Sequence, residues 1–198
     1  MSAIRIVILG DAKVGKTAVT VRFLTRRFIG EYSSDIDLLY RSTIRQEDVS
    51  IELEILDTCC KQSQTPDVEE TTSSWADAFV VVYSVLSRSS FLTAKSLLET
   101  ISRVKMSACV PTLLLGNKTD LEHVREVGAD EGHKAAIEHG CMHFEVSAAE
   151  NPVGISLAFQ SLLREARIAH HQRNGALKRR KSSLVNMSKR LGAMFGKK

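Results

Sequence analysis

The segment that most restricts what this chain can become is "GDAKVGKT", Gly10 to Thr17. Before it stands "IRIVILG", a short apolar run ending at glycine, as expected of a strand covered on both faces. After it comes "KTAVTVRFLTRRF", which puts Val19, Phe23 and Leu24 on one helical face. A strand before and a helix after is the setting in which G-x-x-x-x-G-K-[ST] curls its backbone N–H groups around a phosphate. Gly10 and Gly15 permit the curl, and the helix adds its positive end. Lys16 brings a cation for β- and γ-phosphates, and the Thr17 hydroxyl is a ligand for Mg²⁺. Asp11, Ala12, Lys13, Val14 and Ala18 complete the expected phosphate-binding stretch.

The remaining elements fix the fold class. "LLYRSTIRQ" and "VSIELEILD" flank Glu47-Asp48 and predict an antiparallel hairpin, with Ile51, Leu53 and Ile55 alternating against Glu52 and Glu54. "AFVVVYS", "TLLLGN" and "MHFEVS" predict three further strands. "SSFLTAKSLLETISRV", "DEGHKAAIEHG" (stopped by Gly140) and "VGISLAFQSLLREARIAH" predict helices. Strands alternating with helices imply an α/β fold, an open and mostly parallel sheet with helices on both faces. Ligands bind such sheets beyond the carboxyl ends of the strands. The loops that should matter therefore follow Leu9, Leu56, Leu115 and Val146.

Each of those loops carries chemistry. The second ends in Asp57, placed to hold Mg²⁺. The third is "GNKTD" and the fourth "SAA", Ser147 to Ala149. Asn117 and Asp120, three residues apart, can face one base. Asn117 would lie on the purine's O6/N7 side, and Asp120 would accept from N1–H and N2–H₂. Only guanine offers that donor pair, and adenine would leave a carboxylate unpaired.

In this order, from residue 4 to about 170, the loops resemble the Ras superfamily of small GTP-binding proteins. "TVRFLTRRFIGEY" and "GNKTDLEHVREVGADEG" are most similar to its branch of Ras-related, oestrogen-regulated growth inhibitors. The resemblance implies a P-loop G domain over residues 1–172, with a six-stranded, mostly parallel sheet, one antiparallel edge strand and about five helices. It also implies GTP or GDP with Mg²⁺ as ligands. Phe28 would sit edge-on to guanine and Lys118 along its face, with the Ala148 N–H on the base oxygen and Ser147 bracing the loop. Residues 32–40 and 57–75 would be the switch segments that meet effectors and regulators. No nucleic-acid partner is expected, and the domain is expected to be a cytoplasmic monomer.

Departures from that family gather around the third phosphate. Ala12 stands where a glycine is usual, crowding the place of an incoming arginine. Asp35, in "EYSSDIDLLY", replaces the threonine that ligates Mg²⁺, with Ser34 one residue earlier as a substitute. A carboxylate about 5 Å from a phosphate charge, at an effective dielectric near 20, costs roughly 3 kcal/mol before the metal offsets it. Where the family has D-T-A-G-Q-E, this chain has Asp57-Thr58-Cys59-Cys60-Lys61-Gln62. Cys60 replaces a glycine whose N–H senses the γ-phosphate. Lys61 has three donors and no acceptor, so it cannot orient an attacking water as a glutamine does. Gln62 is a substitute one place along. The expectation is guanine-nucleotide binding with slow hydrolysis. The alternative is a non-catalytic adaptor working through its surface.

Charge divides the chain in two. From Ala176 onward there are eight cations and no acid, so within a net charge of +4 the first 175 residues carry −4. On a helical wheel Leu184, Met187, Leu191, Met194 and Phe195 share one sector. Residues 173–198 form a basic tail, and from 176 onward it suits an anionic membrane surface; a solubilising tail and an import signal in "KRRKSS" are its other readings. No cysteine follows Cys141, so prenylation is not expected. The four cysteines show no metal-ligand spacing, and adjacent Cys59 and Cys60 read as small side chains before they read as a redox pair.

Overall fold

The computed structural model describes residues 3–29, 36–46, 48–59, 75–104 and 110–172. Tyr32, Ser34, Asp35, Cys60, Lys61, Gln62, Cys109 and the tail from 173 lie outside them, so the expectations placed on those positions stay at the level of sequence.

The strands are β1 (Ile4–Gly10), β2 (Leu38–Gln46), β3 (Val49–Asp57), β4 (Ala78–Ser84), β5 (Thr112–Asn117) and β6 (Met142–Glu145). They form one six-stranded sheet in the order β2-β3-β1-β4-β5-β6. β2 runs antiparallel to β3, with Leu38 opposite Asp57 and Gln46 opposite Val49; every other pairing is parallel. The hairpin turn reverses the chain with Asp48 at φ 62°, a left-handed conformation that aspartate tolerates better than most residues. The sheet matches the expected one, strand for strand.

Among the described residues the helices are α1 (Lys16–Thr25), α2 (Arg88–Val104), α3 (Ala129–His139) and α4 (152–172), with a 3₁₀ helix at Thr119–Val124. Side-chain alternation along the strands decides which helix covers which face. Ile4, Ile6 and Ile8 of β1, with Ala78, Val80 and Val82 of β4, pack against Val19 of α1 and Ile155, Phe159 and Leu162 of α4. Val7, Leu9, Phe79 and Val81 point the other way, onto Phe91, Leu97, Leu98 and Ile101 of α2 and Ala135 and Ala136 of α3. Central strands buried on both faces explain the near-continuous apolar runs in the sequence.

Helix ends follow local chemistry. The Ser87 hydroxyl accepts the Ser90 N–H at 3.3 Å and caps α2, two residues before the serine pair of "SSFLTAKSLLETISRV". Gly140 closes α3 at φ 61°. His170, in the last turn of α4, lies 3.5 Å from Asp77 Oδ1 and ties the end of α4 to the approach to β4.

Candidate functional site

The turn from β1 into α1 is built around two glycines, each in a left-handed or near-forbidden conformation. A Cβ on Gly10 (φ 145°) would lie 2.2 Å from the Val82 carbonyl oxygen. One on Gly15 (φ 95°) would lie 2.4 Å from Asn117 Nδ2. The glycines are thus required by contact as well as by dihedral angle. α1 begins without a side-chain cap and without an acid in its first turn. Its leading N–H groups and positive dipole end are therefore directed at the cavity, the arrangement that suits an anion.

Lys16 is buried, and its Nζ donates to the carbonyls of Gly10 (3.0 Å) and Asp11 (2.9 Å), bridging the turn it follows. Thr17 donates its hydroxyl to Asp57 Oδ2 at 2.5 Å. The other carboxylate oxygen of Asp57, Oδ1, is buried without a hydrogen-bond partner among the described residues. Burial holds the Asp57 carboxyl above the usual carboxylate range, against the lowering effects of the Thr17 hydrogen bond and the Lys16 charge; the nearby Asp37 raises it further. A buried carboxylate with one unpaired oxygen beside a hydroxyl is an oxygen donor set suited to Mg²⁺, so Thr17 and Asp57 fit the expected ion.

At the base end, Asn117 is buried and acts as a strut. Its Nδ2 donates to Val14 O at 2.9 Å, and its Oδ1 accepts the Ala148 N–H at 3.1 Å. The side chain that the sequence reading aimed at the purine edge thus also joins the phosphate loop to the fourth loop. Lys118, itself left-handed at φ 73°, donates Nζ to Lys13 O at 2.7 Å. Ser147 donates to Asp120 Oδ1 at 2.6 Å while accepting the N–H groups of Ala149 and Glu150, both at 3.2 Å. The serine therefore braces Asp120 and the turn at Ala149 and Glu150 together.

These groups line one cavity of about 510 Å³. Ala12, Lys13, Gly15, Lys16, Thr17 and Ala18 form its phosphate end, with Asp57, Thr58 and Cys59 beside them. Asn117, Lys118, Asp120, Leu121, Ala148 and Ala149 form its base end, and Phe28 (45% exposed) and Ile36 stand at its mouth. The volume is ordinary for a small-molecule or cofactor site.

Two contacts had no signal in the sequence. Asp37 Oδ1 accepts the Cys59 N–H at 2.7 Å, joining the entry of β2 to the exit of β3. Arg22, in the last turn of α1, donates to backbone carbonyls of the fourth loop. An arginine there reads as an ordinary dipole complement, and only the tertiary fold reveals its partners.

Comparison with known proteins agrees with the geometry. Residues 5–168 match the Ras family model. The chain is 38% identical over 203 residues to the bovine (Bos taurus) Ras-related and estrogen-regulated growth inhibitor-like protein, covering all of this chain and 98% of that one. It is 40% identical over 189 residues to the human (Homo sapiens) protein of the same name, covering 91% and 89%. It is 34% identical over 194 residues to the human Ras-related and estrogen-regulated growth inhibitor, covering 98% and 96%.

Proposed function

We propose, for a chain that belongs to the Ras family of GTP-binding signalling proteins, that it holds GDP or GTP with Mg²⁺ and hydrolyses GTP slowly. The observation that carries this reading is the pairing of Thr17 with Asp57, whose second oxygen is buried and unpartnered, beside Lys16 at the uncapped start of α1.

The residues divide the work. The N–H groups of the loop and of α1 would bind the β-phosphate as donors already held in place by the fold. Lys16 would exchange its carbonyl partners for phosphate oxygens, keeping two charge-assisted contacts. Mg²⁺, when bound, neutralises the phosphates and lowers the cost of charge building on the leaving oxygen. Asp120, fixed by Ser147, would select guanine through its second oxygen.

Hydrolysis needs one more function, an acceptor that orients water toward the third phosphate. In this sequence that position is Lys61, which has donors only. A lysine there would neutralise the third phosphate and favour bound GTP over its cleavage. The tail from 176 to 198 would hold the domain at an anionic leaflet through its eight cations.

Single-turnover hydrolysis by stripped, reloaded protein tests the reading. The expected result is tight binding of both nucleotides, slow cleavage, and an increase of about tenfold in Lys61→Gln as the acceptor is restored. Failure to bind either nucleotide with Mg²⁺ would favour the adaptor. An unchanged rate in Lys61→Gln would place the lesion elsewhere in the site.

A further inference from the structure

We infer that Arg22 is a positioning residue for base recognition, clamping the fourth loop onto the helix that begins at the phosphates. The inference rests on the guanine-nucleotide reading above. Arg22 is only 8% exposed, which is unusual for an arginine without a carboxylate partner, and among the described residues it has none. Its guanidinium instead donates to three backbone carbonyls. Nη1 reaches Arg26 O at 3.1 Å, and Nη2 reaches Glu150 O at 2.6 Å and Ala149 O at 3.4 Å. Nε is buried with no partner. A side chain kept for solubility or for a helix end would not be desolvated in this way.

The acceptors show how the charge is tolerated. Arg26 caps α1, its own N–H donating to Arg22 O at 2.9 Å, so its carbonyl belongs to the negative end of the α1 dipole. Ala149 and Glu150 lie in the turn between β6 and α4, and their N–H groups are held by Ser147 Oγ. The planar fork of an arginine spans the two segments, which an ammonium on a single stem does not.

The consequence runs through Ser147. That hydroxyl donates to Asp120 Oδ1, and Asp120 is the carboxylate that would meet N1–H and N2–H₂ of guanine. With Ala149 and Glu150 anchored from behind by Arg22, Ser147 and hence Asp120 keep their place. From the cavity side the struts from Asn117 to Val14 and from Lys118 to Lys13 tie the base end to the phosphate loop. Arg22 is the matching tie on the far side, so the two ends of the ligand are gripped by one rigid unit.

The test compares release of GDP and of inosine diphosphate, which lacks the 2-amino group, from the full chain and from Arg22→Lys and Arg22→Gln. Loss of a charge-assisted contact predicts about tenfold faster GDP release in both variants. Inosine diphosphate should speed up by less than about threefold, because it never used the complete Asp120 contact. The ratio of the two rates therefore shrinks, which a general loosening of the domain would not produce. Equal acceleration of both nucleotides, or a wild-type GDP rate in Arg22→Lys, would overturn the inference; if Arg22→Gln does not fold, Arg22→Lys carries the test. A wild-type chain that retains no guanine nucleotide would instead overturn the nucleotide reading on which the inference rests.

Discussion

Replacing Gly15 by alanine should damage the site in two separable ways. The first is conformational. Gly15 has φ 95°, and forcing an L-residue into the left-handed half of the map costs about 1–2 kcal/mol. The second is steric. The new Cβ would meet Asn117 Nδ2 at 2.4 Å, so the buried carboxamide must retreat by about an ångström to reach ordinary contact. That retreat breaks the bonds to Val14 O (2.9 Å) and from the Ala148 N–H (3.1 Å), each contributing about 1 kcal/mol and leaving buried groups unpaired. Gly15→Ala should therefore lose about 3–4 kcal/mol of unfolding free energy in nucleotide-free protein. Asn117→Ala alone should lose about 2–3 kcal/mol, since it breaks the same two bonds without strain. The double variant should lose about 2 kcal/mol less than the two single losses combined, because the clash has no target once the amide is gone. Urea unfolding of the four proteins measures this coupling. Additivity within about 0.5 kcal/mol would refute the claim that the glycine exists to make room for the strut.

Two further outcomes follow from charge. Because the Asp57 carboxyl titrates above its usual range when folded, its favourable contribution is complete only below the unfolded value and is lost as pH rises through the folded one. Asp57→Asn should therefore raise the urea midpoint of nucleotide-free protein at neutral pH, and the gain should fade as the solution is acidified; a gain independent of pH would contradict that cause. For the tail, sedimentation with vesicles containing phosphatidylserine should retain the full chain and lose most of it in high salt, each cation contributing up to about 1 kcal/mol. Equal binding to neutral vesicles would rule out the electrostatic account.

The sequence was informative wherever one residue type answers a local physical demand. The alternation of Ile51, Leu53 and Ile55 with Glu52 and Glu54 announced a strand with one wet face, and β3 has that face. Gly10 and Gly15 announce a backbone that no side chain could follow, and a Cβ at either would lie within 2.2 or 2.4 Å of a neighbouring atom. Thr17 and Asp57, separated by 40 positions, are both expected around Mg²⁺ by their oxygen chemistry, and the fold sets them 2.5 Å apart. What escaped was every contact made by a side chain with several plausible uses. Asn117 was read for its outward amide, while its inward bonds depend on how close β5 lies to the phosphate loop. Arg22 is indistinguishable by sequence from a surface charge, because burial of a long polar side chain is decided by elements far away in the chain, and the bond of exposed Asp37 to Cys59 depends on how β2 pairs with β3.

That difference explains why this chain can depart from its family at one end of the ligand and not at the other. The residues proposed to meet the base and the β-phosphate lie at strand ends and in loops cross-tied through Asn117, Lys118, Ser147 and Arg22. Altering any of these groups breaks a buried bond, and the penalty is felt in folding as well as in binding. Position 12, one of those where the sequence diverges, contributes none of those bonds among the described residues. The Ala12 N–H donates locally, to Asp11 Oδ1 at 2.7 Å. On the reading proposed above, the divergence at 12, 35, 60 and 61 bears on a third phosphate, while Asn117, Lys118 and Asp120 are unchanged from the family pattern. On that reading a Ras-family domain would lose cleavage and keep its grip on the nucleotide, because the two properties draw on different residues.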